Sequence, residues 1–439
     1  MTPSGIPNGI QHSAWTGSTR LTVAVGLLWL VAAVIGSVLL TRPPAAAAGD
    51  RNDDRLDARH PDDDADDDDP ADKRSPAQLA AEGQQIFRFD TFGDEQQWTD
   101  ALKINEVIES AVSPQTALSL GLKVDVEALP PEVQAAIAGG QVDLTDPQTT
   151  LTLIQLNSVV GVVGTVQDVN GVKHLTKVGI TCALCHSTVD DSFAPGIGRR
   201  LDGWPNLDLN PGAIIATSPA LTPEVKAVYN SWGPGKYDPR FNQDGKSTPL
   251  VIPPAYGLDG VKRATYTADG SISYWNDYVA VTQMGGQGVF RDGRIGVHVV
   301  RKPDVVKPKL RALREYQFSL AIPAPAAGSF DAAAADRGRT VFQGAGKCAT
   351  CHVGPHYTDI NKGVRHRPEQ TGMDPAYALR TASKKYRTTP LRGLANHAPY
   401  FHDGSAATLP DVVEHYDSFL RLGLTPQQKQ DLVEYLKSL

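Results

Sequence analysis

The cysteines of this chain fall into two copies of one pattern, a pair spaced three residues apart with a histidine directly after it. The chain has 439 residues and four cysteines, and the two sets are Cys182, Cys185 and His186, then Cys348, Cys351 and His352. On a helical turn, positions i and i+3 share one face, so both thiols can add to one edge of a porphyrin. The histidine at i+4 can then bind the iron. This spacing is typical of covalently attached c-type haem.

Two other kinds of site also use paired cysteines. A redox-active dithiol needs no adjacent histidine and is typical of a βαβ surrounding, which the sequence does not indicate. A single zinc ion could bind all four thiols. However, the two pairs lie far apart in the chain, and each has its own histidine, which a four-cysteine site would leave unused. The pattern therefore favours two covalently attached haem c groups over zinc or a dithiol.

The N-terminal region indicates export. Residues 21–40 form an uncharged apolar run with Arg20 before it and Arg42 after it, a length that suits one membrane span. Small residues follow, so residues 1–48 are predicted to be either a cleaved signal peptide or a retained membrane anchor. Both alternatives place the rest of the chain in the periplasm or another extracytoplasmic compartment, where cytochrome c is matured.

An acidic segment follows the apolar run. Residues 49–78 contain a run of aspartates and no apolar face, which predicts a disordered linker. The run lacks the residue spacing of an EF-hand calcium loop. Most of the formal net charge of −7 falls within the first 75 residues, and the remainder of the chain is nearly neutral. We therefore expect no nucleic-acid partner.

The remaining sequence predicts a mainly α fold with two tandem cytochrome c-type haem domains. The proposed boundary is a break rich in proline and alanine, which separates a domain at residues 79–325 from a domain at residues 326–439. Long loops rich in glycine and proline enlarge the first domain. A minor β-hairpin is also predicted there, around the turn Asn170-Gly171.

Helix signals support this division. Residues 81–90 resemble the amphipathic helix that opens the second domain, and residues 130–140 begin with proline and end with glycine, as helices often do. At the C-terminus, Thr425 and Gln428 predict a capping box for a helix that runs to the end of the chain. A helix before the haem motif and a terminal helix form the outline of a small cytochrome c domain.

A long stretch in the second domain carries a family resemblance. Residues 387–417 include APYFHDGSAATL at residues 398–409, and this stretch resembles the bacterial di-haem cytochrome c peroxidases and the related MauG-type enzymes. The resemblance covers residues 330–439 well and the first domain loosely. It implies an exported di-haem c-type cytochrome that transfers electrons, with peroxidase- or MauG-like redox chemistry at the first haem.

The resemblance also suggests ligands for the second haem. Where the peroxidases place a methionine ligand, this chain has Tyr416, and the MauG-type enzymes likewise place a tyrosine on the iron. The candidate sixth ligands are Tyr416, His415 and Met373. His402 of the PYFHDG stretch is expected to lie near this haem as a hydrogen-bonding neighbour. A phenolate ligand would stabilise ferric iron and lower the reduction potential relative to methionine.

The surroundings of the first haem determine whether the protein is an enzyme. Peroxide cleavage needs an open iron position and an acid–base group. Related peroxidases use a glutamate, but the corresponding residues 264–286 contain none, so Asp277 and Gln283 are the candidates. Met284 or His298 could instead be a sixth ligand that closes the site. The alternative function is then a non-catalytic electron carrier in which both irons are six-coordinate.

Four other residues could contact the haems. Tyr266 and Trp275 are candidates for an aromatic relay between them, with aromatic core packing as the alternative. Arg199 and Arg200 could bind haem propionates, with solvated surface charge as the alternative.

The expected partners follow from the redox function. They are a redox protein or a quinol-linked electron donor, with hydrogen peroxide or oxygen as the oxidant. An uncleaved N-terminal segment would add the membrane. The resemblance further implies a calcium ion between the domains, bound largely by backbone oxygens.

Overall fold

Helices dominate the regular structure of residues 72–439, the part of the chain that the computed structural model describes. Proline near the start of a helix, often after a Ser, Thr or Asp cap, is the usual beginning, and the first helix starts with a capping box of Ser75 and Gln78. The α-helices in chain order are α1 Pro76–Phe89, α2 Ile104–Ala111, α3 Pro114–Ser119, α4 Pro131–Ala138, α5 Pro147–Gln155, α6 Ala183–His186, α7 Pro211–Ala216, α8 Pro223–Asn230, α9 Phe241–Asp244, α10 Ile272–Tyr278, α11 Leu310–Ser319, α12 Ala332–Gln343, α13 Pro368–Thr371, α14 Leu409–Leu420 and α15 Pro426–Lys437.

Shorter helical turns accompany them. Two are π-helical, Gln96–Ala101 and Val279–Met284, and the second continues α10 without a break. The 3-10 turns are Val126–Ala128, Lys307–Lys309, Cys348–Thr350, Ile360–Lys362, Ala378–Arg380 and Leu394–Asn396.

The strands form only two-stranded sheets within the described residues. They are β1 Val124–Asp125, β2 Val162–Val169, β3 Val172–Ile180, β4 Ser187–Val189, β5 Ile197–Gly198, β6 Arg200–Asp202, β7 Lys236–Tyr237, β8 Leu250–Val251, β9 Val289–Asp292 and β10 Val297–Val300. The longest pair, β2 and β3, is antiparallel and is joined by Asn170 and Gly171. Both of these residues have positive φ angles, as a two-residue hairpin turn requires. Strand β3 ends directly before the first C-x-x-C-H motif.

Two helix pairs use the same close contact. In the first pair, α1 packs on α11, and a Cβ atom at Gly83 would overlap the carbonyl oxygen of Ala312. In the second pair, α12 packs on α15, and a Cβ atom at Gly338 would overlap the carbonyl oxygen of Asp431. Glycine is needed at both positions because the facing backbone occupies the space of a side chain.

Each glycine is followed four residues later by a phenylalanine that packs on a tyrosine of the facing helix. The ring centroids of Phe87 and Tyr316 lie 5.4 Å apart at 63°, and those of Phe342 and Tyr435 lie 5.2 Å apart at 68°. Both are edge-to-face arrangements, which aromatic rings favour. The two pairs are thus built on the same pattern of glycine, phenylalanine and tyrosine.

Several N-terminal predictions fall outside the described residues. These include the predicted signal peptide or anchor at residues 1–48 and most of the predicted linker. Helix α1 begins at Pro76, inside the predicted linker and earlier than the helix predicted at residues 81–90, because Ser75 and Gln78 cap it there. None of the helices in residues 72–439 is long and apolar enough to cross a membrane. The domain boundary near residue 325 stays a prediction.

Candidate haem sites

The first C-x-x-C-H motif places its histidine with one ring nitrogen already bonded. Helix α6 begins at Cys182 as its N-cap and ends at His186. The imidazole Nδ1 lies 3.0 Å from the carbonyl oxygen of Pro253. Because a carbonyl only accepts hydrogen bonds, Nδ1 carries the proton and Nε2 keeps its lone pair for a metal. Burial lowers the pKa of His186 to about 4, so the ring is neutral, as a ligand must be.

The two thiols of this motif are unsuited to dithiol chemistry. Burial raises the pKa of Cys182 and of Cys185 to about 12. A redox-active or zinc-binding cysteine needs a stabilised thiolate instead. Neither cysteine forms a disulfide. Two buried, protonated thiols beside a neutral histidine with a free Nε2 fit covalent haem attachment better than either alternative.

The second motif repeats the histidine arrangement on a different local structure, whereas the hydrogen bond from His366 lowers the pKa of its Cys351 thiol. Cys348 begins a 3-10 turn, and the imidazole Nδ1 of His352 lies 3.0 Å from the carbonyl oxygen of Tyr357. Burial lowers the pKa of His352 and raises that of Cys348 to about 11. Here too the second ring nitrogen remains available to a metal. The same donor geometry therefore occurs at both motifs.

A large cavity adjoins the second motif. Its volume is about 460 Å³, within the usual range for cofactor pockets. Cys348, Cys351 and His352 all line it, and most of the remaining wall is apolar. Its charged or imidazole-bearing lining residues, besides His352, are Lys347, His366, Arg387, Arg392, His397 and His402. No aspartate or glutamate of the described chain is part of the wall.

The three candidate sixth ligands of the second haem differ in whether they line this cavity. Tyr416 and Met373 line it, whereas His415 does not. The His415 imidazole Nε2 lies 2.9 Å from the carbonyl oxygen of Thr371, and its ring stacks on Phe419. Burial, with added effects of Cys351 and Cys348, raises the pKa of Tyr416. Tyr416 and Met373 thus share the cavity with the motif, and Tyr416 is near both of its cysteines.

His402 also lines this cavity. Its imidazole Nε2 lies 2.9 Å from the hydroxyl of Tyr386, and the two rings are 4.4 Å apart. The contact fixes the ring against the cavity wall. This placement agrees with a neighbouring role in hydrogen bonding, which stays a prediction.

The two acid–base candidates at the first site, Asp277 and Gln283, also differ in their surroundings. The Asp277 carboxylate lies 3.3 Å from the ammonium group of Lys307. Gln283 instead faces β7, where its Oε1 accepts a hydrogen bond from the hydroxyl of Tyr237 at 3.0 Å. Tyr237 and Cys185 pack against the same apolar cluster. The structure therefore brings Gln283 towards the first motif and gives Asp277 a basic partner.

The candidate closing ligands of the first haem have other contacts. Met284 is buried in an apolar cluster that includes Ala183 of the first motif, and its backbone carbonyl accepts a hydrogen bond from the Trp98 indole at 3.0 Å. His298 is exposed on strand β10, where its Nε2 accepts a hydrogen bond from Arg291 at 2.9 Å. Of the two, only Met284 is near the first motif.

Among the predicted relay and propionate residues, Tyr266 alone reaches the cavity, where its hydroxyl donates to the carbonyl oxygen of Val251 at 3.2 Å. Trp275 stacks on Tyr278 with ring centroids 5.1 Å apart. The two arginines considered for propionates have protein partners: Arg199 pairs with Asp190 at 2.8 Å and Arg200 with Asp125 at 3.0 Å.

A cluster of potential metal ligands lies beside the second motif. One ligand atom each of Cys351, Asp359 and His366 lies within 4.8 Å of the others. With Cys351 as a free thiol, its hydrogen bond and that of Asp359 raise the pKa of His366 to about 9. Attachment of haem turns this sulfur into a thioether, which removes the thiolate ligand. The cluster therefore does not indicate a separate metal site.

Sequence reasoning missed several residues that the fold brings to these sites. The carbonyls of Pro253 and Tyr357 leave no side-chain signal, so no pattern could identify them. Tyr237 and Arg387 come from segments far from the motifs they approach. The closest available signal for Arg387 was its position in the stretch that resembles the peroxidases.

Similarity to known proteins identifies the family of this chain. A cytochrome c family model matches residues 335–439. Cytochrome-c peroxidase IdrP1 of Denitromonas iodatirespirans is 30% identical over 24% of this chain and 40% of its own length. Methylamine utilization protein MauG of Methylorubrum extorquens is 30% identical over 59% of this chain and 72% of its own length. The chain belongs to the di-haem cytochrome c peroxidase and MauG family.

This family membership makes haem c the cofactor and the chain a haem redox protein. The matched part spans about 40% of the length of the peroxidase relative. Among solved structures, a MauG-like protein associated with microbial copper homeostasis superposes with a TM-score of 0.32 at 19% identity, over 45% of this chain and 75% of that one. That score is too low to support a structural comparison.

Proposed function

We propose that this chain is an exported c-type cytochrome that binds two covalent haems, one at each C-x-x-C-H motif. The repeated donor geometry carries the proposal: in both motifs the histidine Nδ1 bonds a backbone carbonyl at 3.0 Å, which leaves Nε2 for iron. The matching helix pairs α1 with α11 and α12 with α15 support two tandem cytochrome c-type domains.

We further propose that the two sites have different tasks. When bound, haem supplies a redox-active iron that exchanges electrons and, with an open axial position, reacts with peroxide or oxygen. At the first site, Gln283 would orient the oxidant through its amide, and Tyr237 would fix that amide by donating to its Oε1. This is the residue arrangement that favours peroxidase- or MauG-like chemistry there.

The second site is proposed to transfer electrons. Tyr416 lines the same cavity as His352, and it is close enough to Cys348 and Cys351 for both to raise the pKa of its hydroxyl. Iron bound at His352 could take this hydroxyl as a ligand. Tyr416 as the sixth ligand would lower the reduction potential of this haem relative to methionine ligation.

Partners and location extend the same proposal. Electrons would come from a redox protein or a quinol-linked donor, and the oxidant would be hydrogen peroxide or oxygen. The apolar run at residues 21–40 supports export through a cleaved signal or a retained anchor. A calcium ion between the domains belongs to the proposal only through the family resemblance.

One experiment separates catalysis from simple electron transfer. Electron paramagnetic resonance and optical spectra of the ferric protein are recorded before and after hydrogen peroxide is added, both as isolated and after partial reduction. We expect a high-spin haem whose signal disappears with peroxide. Two low-spin haems that peroxide leaves unchanged would instead support the non-catalytic carrier, a reading consistent with the lack of a glutamate in residues 264–286.

A further inference from the structure

Arg387 holds a fixed but incompletely bonded guanidinium in the wall of the second cavity. Its backbone N–H donates to the carbonyl oxygen of Tyr266 at 2.8 Å. Its guanidinium Nη1 donates to the carbonyl oxygen of Arg263. The Nε–H is buried and has no hydrogen-bond partner within the described chain. The side chain is therefore positioned by neighbouring backbone while part of its donor capacity is unused.

Two other buried arginines are paired with carboxylates. Arg200 pairs with Asp125 at 3.0 Å, and Arg380 pairs with Asp238 and Asp244 at 2.8 Å each. Arg387 has no such partner among residues 72–439, and burial lowers its pKa to about 10. A guanidinium in a cavity wall without a counter-charge is unfavourable. The position of Arg387 therefore calls for an anion.

The composition of the cavity wall points in the same direction. The wall contains several basic or imidazole side chains and no carboxylate from residues 72–439. An occupant that brings carboxylates would balance this charge. Haem c does so, because its two propionates remain free when its vinyl edge is bonded to Cys348 and Cys351.

We propose that Arg387 binds a propionate of the second haem and thereby raises the reduction potential of that haem. The guanidinium can form charge-assisted hydrogen bonds to a carboxylate through Nε and an Nη atom together. A positive group next to the propionate reduces the negative charge near the iron, which favours the reduced state. The inference needs haem at the second motif and does not depend on catalysis at the first.

Arg392 provides a matched control in the same cavity. Its guanidinium Nη1 donates to the carbonyl oxygens of Gly257 at 2.6 Å and Asp259 at 2.8 Å. Its Nη2 contacts the His356 imidazole. Arg392→Gln thus removes the same charge from the same wall, but from a side chain whose donors already have protein partners.

The test is a potentiometric titration of the second haem between pH 5 and 9 in the full-length holoprotein, for the wild type, Arg387→Gln and Arg392→Gln. For Arg387→Gln at pH 7 we expect the equilibrium constant for reduction to fall about tenfold, which is about 59 mV for one electron. The potential should also become more dependent on pH, because an unpaired propionate takes up a proton on reduction. Both variants retain the other titratable lining groups, which are Lys347, His366, His397, His402, Tyr256, Tyr266, Tyr386, Tyr400 and Tyr416.

Arg392→Gln should shift the potential less and leave its pH dependence as in the wild type. Equal shifts and equal pH dependence in the two glutamine variants would overturn the proposal, because the effect would then be one of general charge. If Arg387→Gln fails to incorporate haem, Arg387→Lys decides the matter. That variant should show a smaller shift in the same direction, and wild-type behaviour would contradict direct pairing. Pyridine haemochrome absorbance is used to count the haems in each variant. A variant that keeps two haems tests the role of Arg387, whereas a wild-type protein with fewer than two haems would contradict the di-haem proposal itself.

Discussion

The helix pair α1 and α11 and the helix pair α12 and α15 pack by the same contacts, yet the chain between their members differs greatly. In the second region, α12 ends at Gln343 and Cys348 follows almost at once. In the first region, α1 ends at Phe89, and four helices and the β2–β3 hairpin intervene before Cys182. These inserted elements contribute to a large apolar cluster of their own.

This difference shows which contacts the two C-x-x-C-H motifs share and which belong to the first region alone. Both motifs obtain their histidine geometry from a short turn and one backbone carbonyl. The inserted chain is therefore not needed to hold the histidine. Its cluster instead supports Tyr237, which donates to Gln283 next to the first motif. At the second motif, the described residues show no matching hydrogen bond between a tyrosine and a side-chain amide. The second motif instead adjoins a cavity with Tyr416 in its wall.

The largest effect should come from removing either cysteine pair. Cys182→Ala with Cys185→Ala, and Cys348→Ala with Cys351→Ala, should each lower the haem content from two per chain to one, because we propose that each pair makes the thioether bonds of one haem. Pyridine haemochrome absorbance per chain measures this. His298→Ala, a change of an exposed side chain on strand β10, should keep both haems. Full haem content in either double variant would contradict the assignment of that motif.

The amide of the first region should matter for reactivity rather than for haem content. Gln283→Leu removes a polar group that the Tyr237 hydroxyl fixes, and loss of one preorganised donor typically costs about 100-fold in rate. We therefore expect the second-order rate of peroxide reaction, measured by stopped-flow absorbance, to fall by about 100-fold with two haems still bound. Asp277→Asn, at the carboxylate bonded to Lys307, is the comparison variant. If Asp277→Asn lowered the rate of peroxide reaction more than Gln283→Leu, Asp277 rather than Gln283 would be the group that acts on the oxidant.

The shared helix contact predicts similar stability losses in both regions. Gly83→Ala and Gly338→Ala each place a methyl group against facing backbone, and overpacking of this kind costs about 1–3 kcal/mol. Urea unfolding of the holoprotein should show losses of that size for both variants. Gly293→Ala, where a Cβ atom meets open space, should change the free energy of unfolding by less than about 0.5 kcal/mol. A neutral result at one glycine only would break the equivalence of the two helix pairs.

One buried acid in each region should make stability depend on pH, with opposite signs in the two regions. Burial raises the pKa of Asp94 to about 9, and its carboxylate accepts only weak bonds from the Ile180 N–H at 3.3 Å. The hydrogen bond and charge of Arg337 lower the pKa of Asp431. The folded state thus keeps the Asp94 proton above pH 4 while the unfolded state releases it, so this group reduces stability as pH rises from about 4 to about 9. Asp431 contributes stability above about pH 4 that is lost as pH falls through its lowered pKa.

Two asparagine variants check these opposite signs. Asp94→Asn should raise the urea midpoint at pH 8 more than at pH 5. Asp431→Asn should lower the midpoint at both of these pH values and have less effect near pH 3. The same sign of change for both variants at pH 8 would show that the two carboxyl groups are not in contrasting environments.

Local sequence patterns predicted the elements that depend on local contacts. The capping box of Thr425 and Gln428 is confirmed at the start of α15, and the helix expected at residues 130–140 is confirmed as α4. The pattern at residues 81–90 predicted a helix but placed its start too late, because the polar residues near Ser75 were assigned to the linker. Caps and turns are readable because their partners are only a few residues away.

Contacts between distant segments could not be read in this way. The partner of α1 is α11, more than 200 residues later, and neither helix contains a signal that names the other. The acceptor of the His186 proton is a backbone carbonyl, which every residue has. Arg387 has no carboxylate partner among residues 72–439, and this depends on the three-dimensional packing, which a linear sequence does not show.

Pro253 has a consequence for communication across the molecule. Its carbonyl oxygen accepts the hydrogen bond from His186, and the residues around it, 251–254, line the cavity beside His352. This short segment of backbone therefore forms part of the cavity wall and also orients the histidine of the first motif. A displacement of residues 251–254 that reshaped the cavity would also shift the hydrogen-bond acceptor of His186, so the surroundings of the two motifs are mechanically coupled.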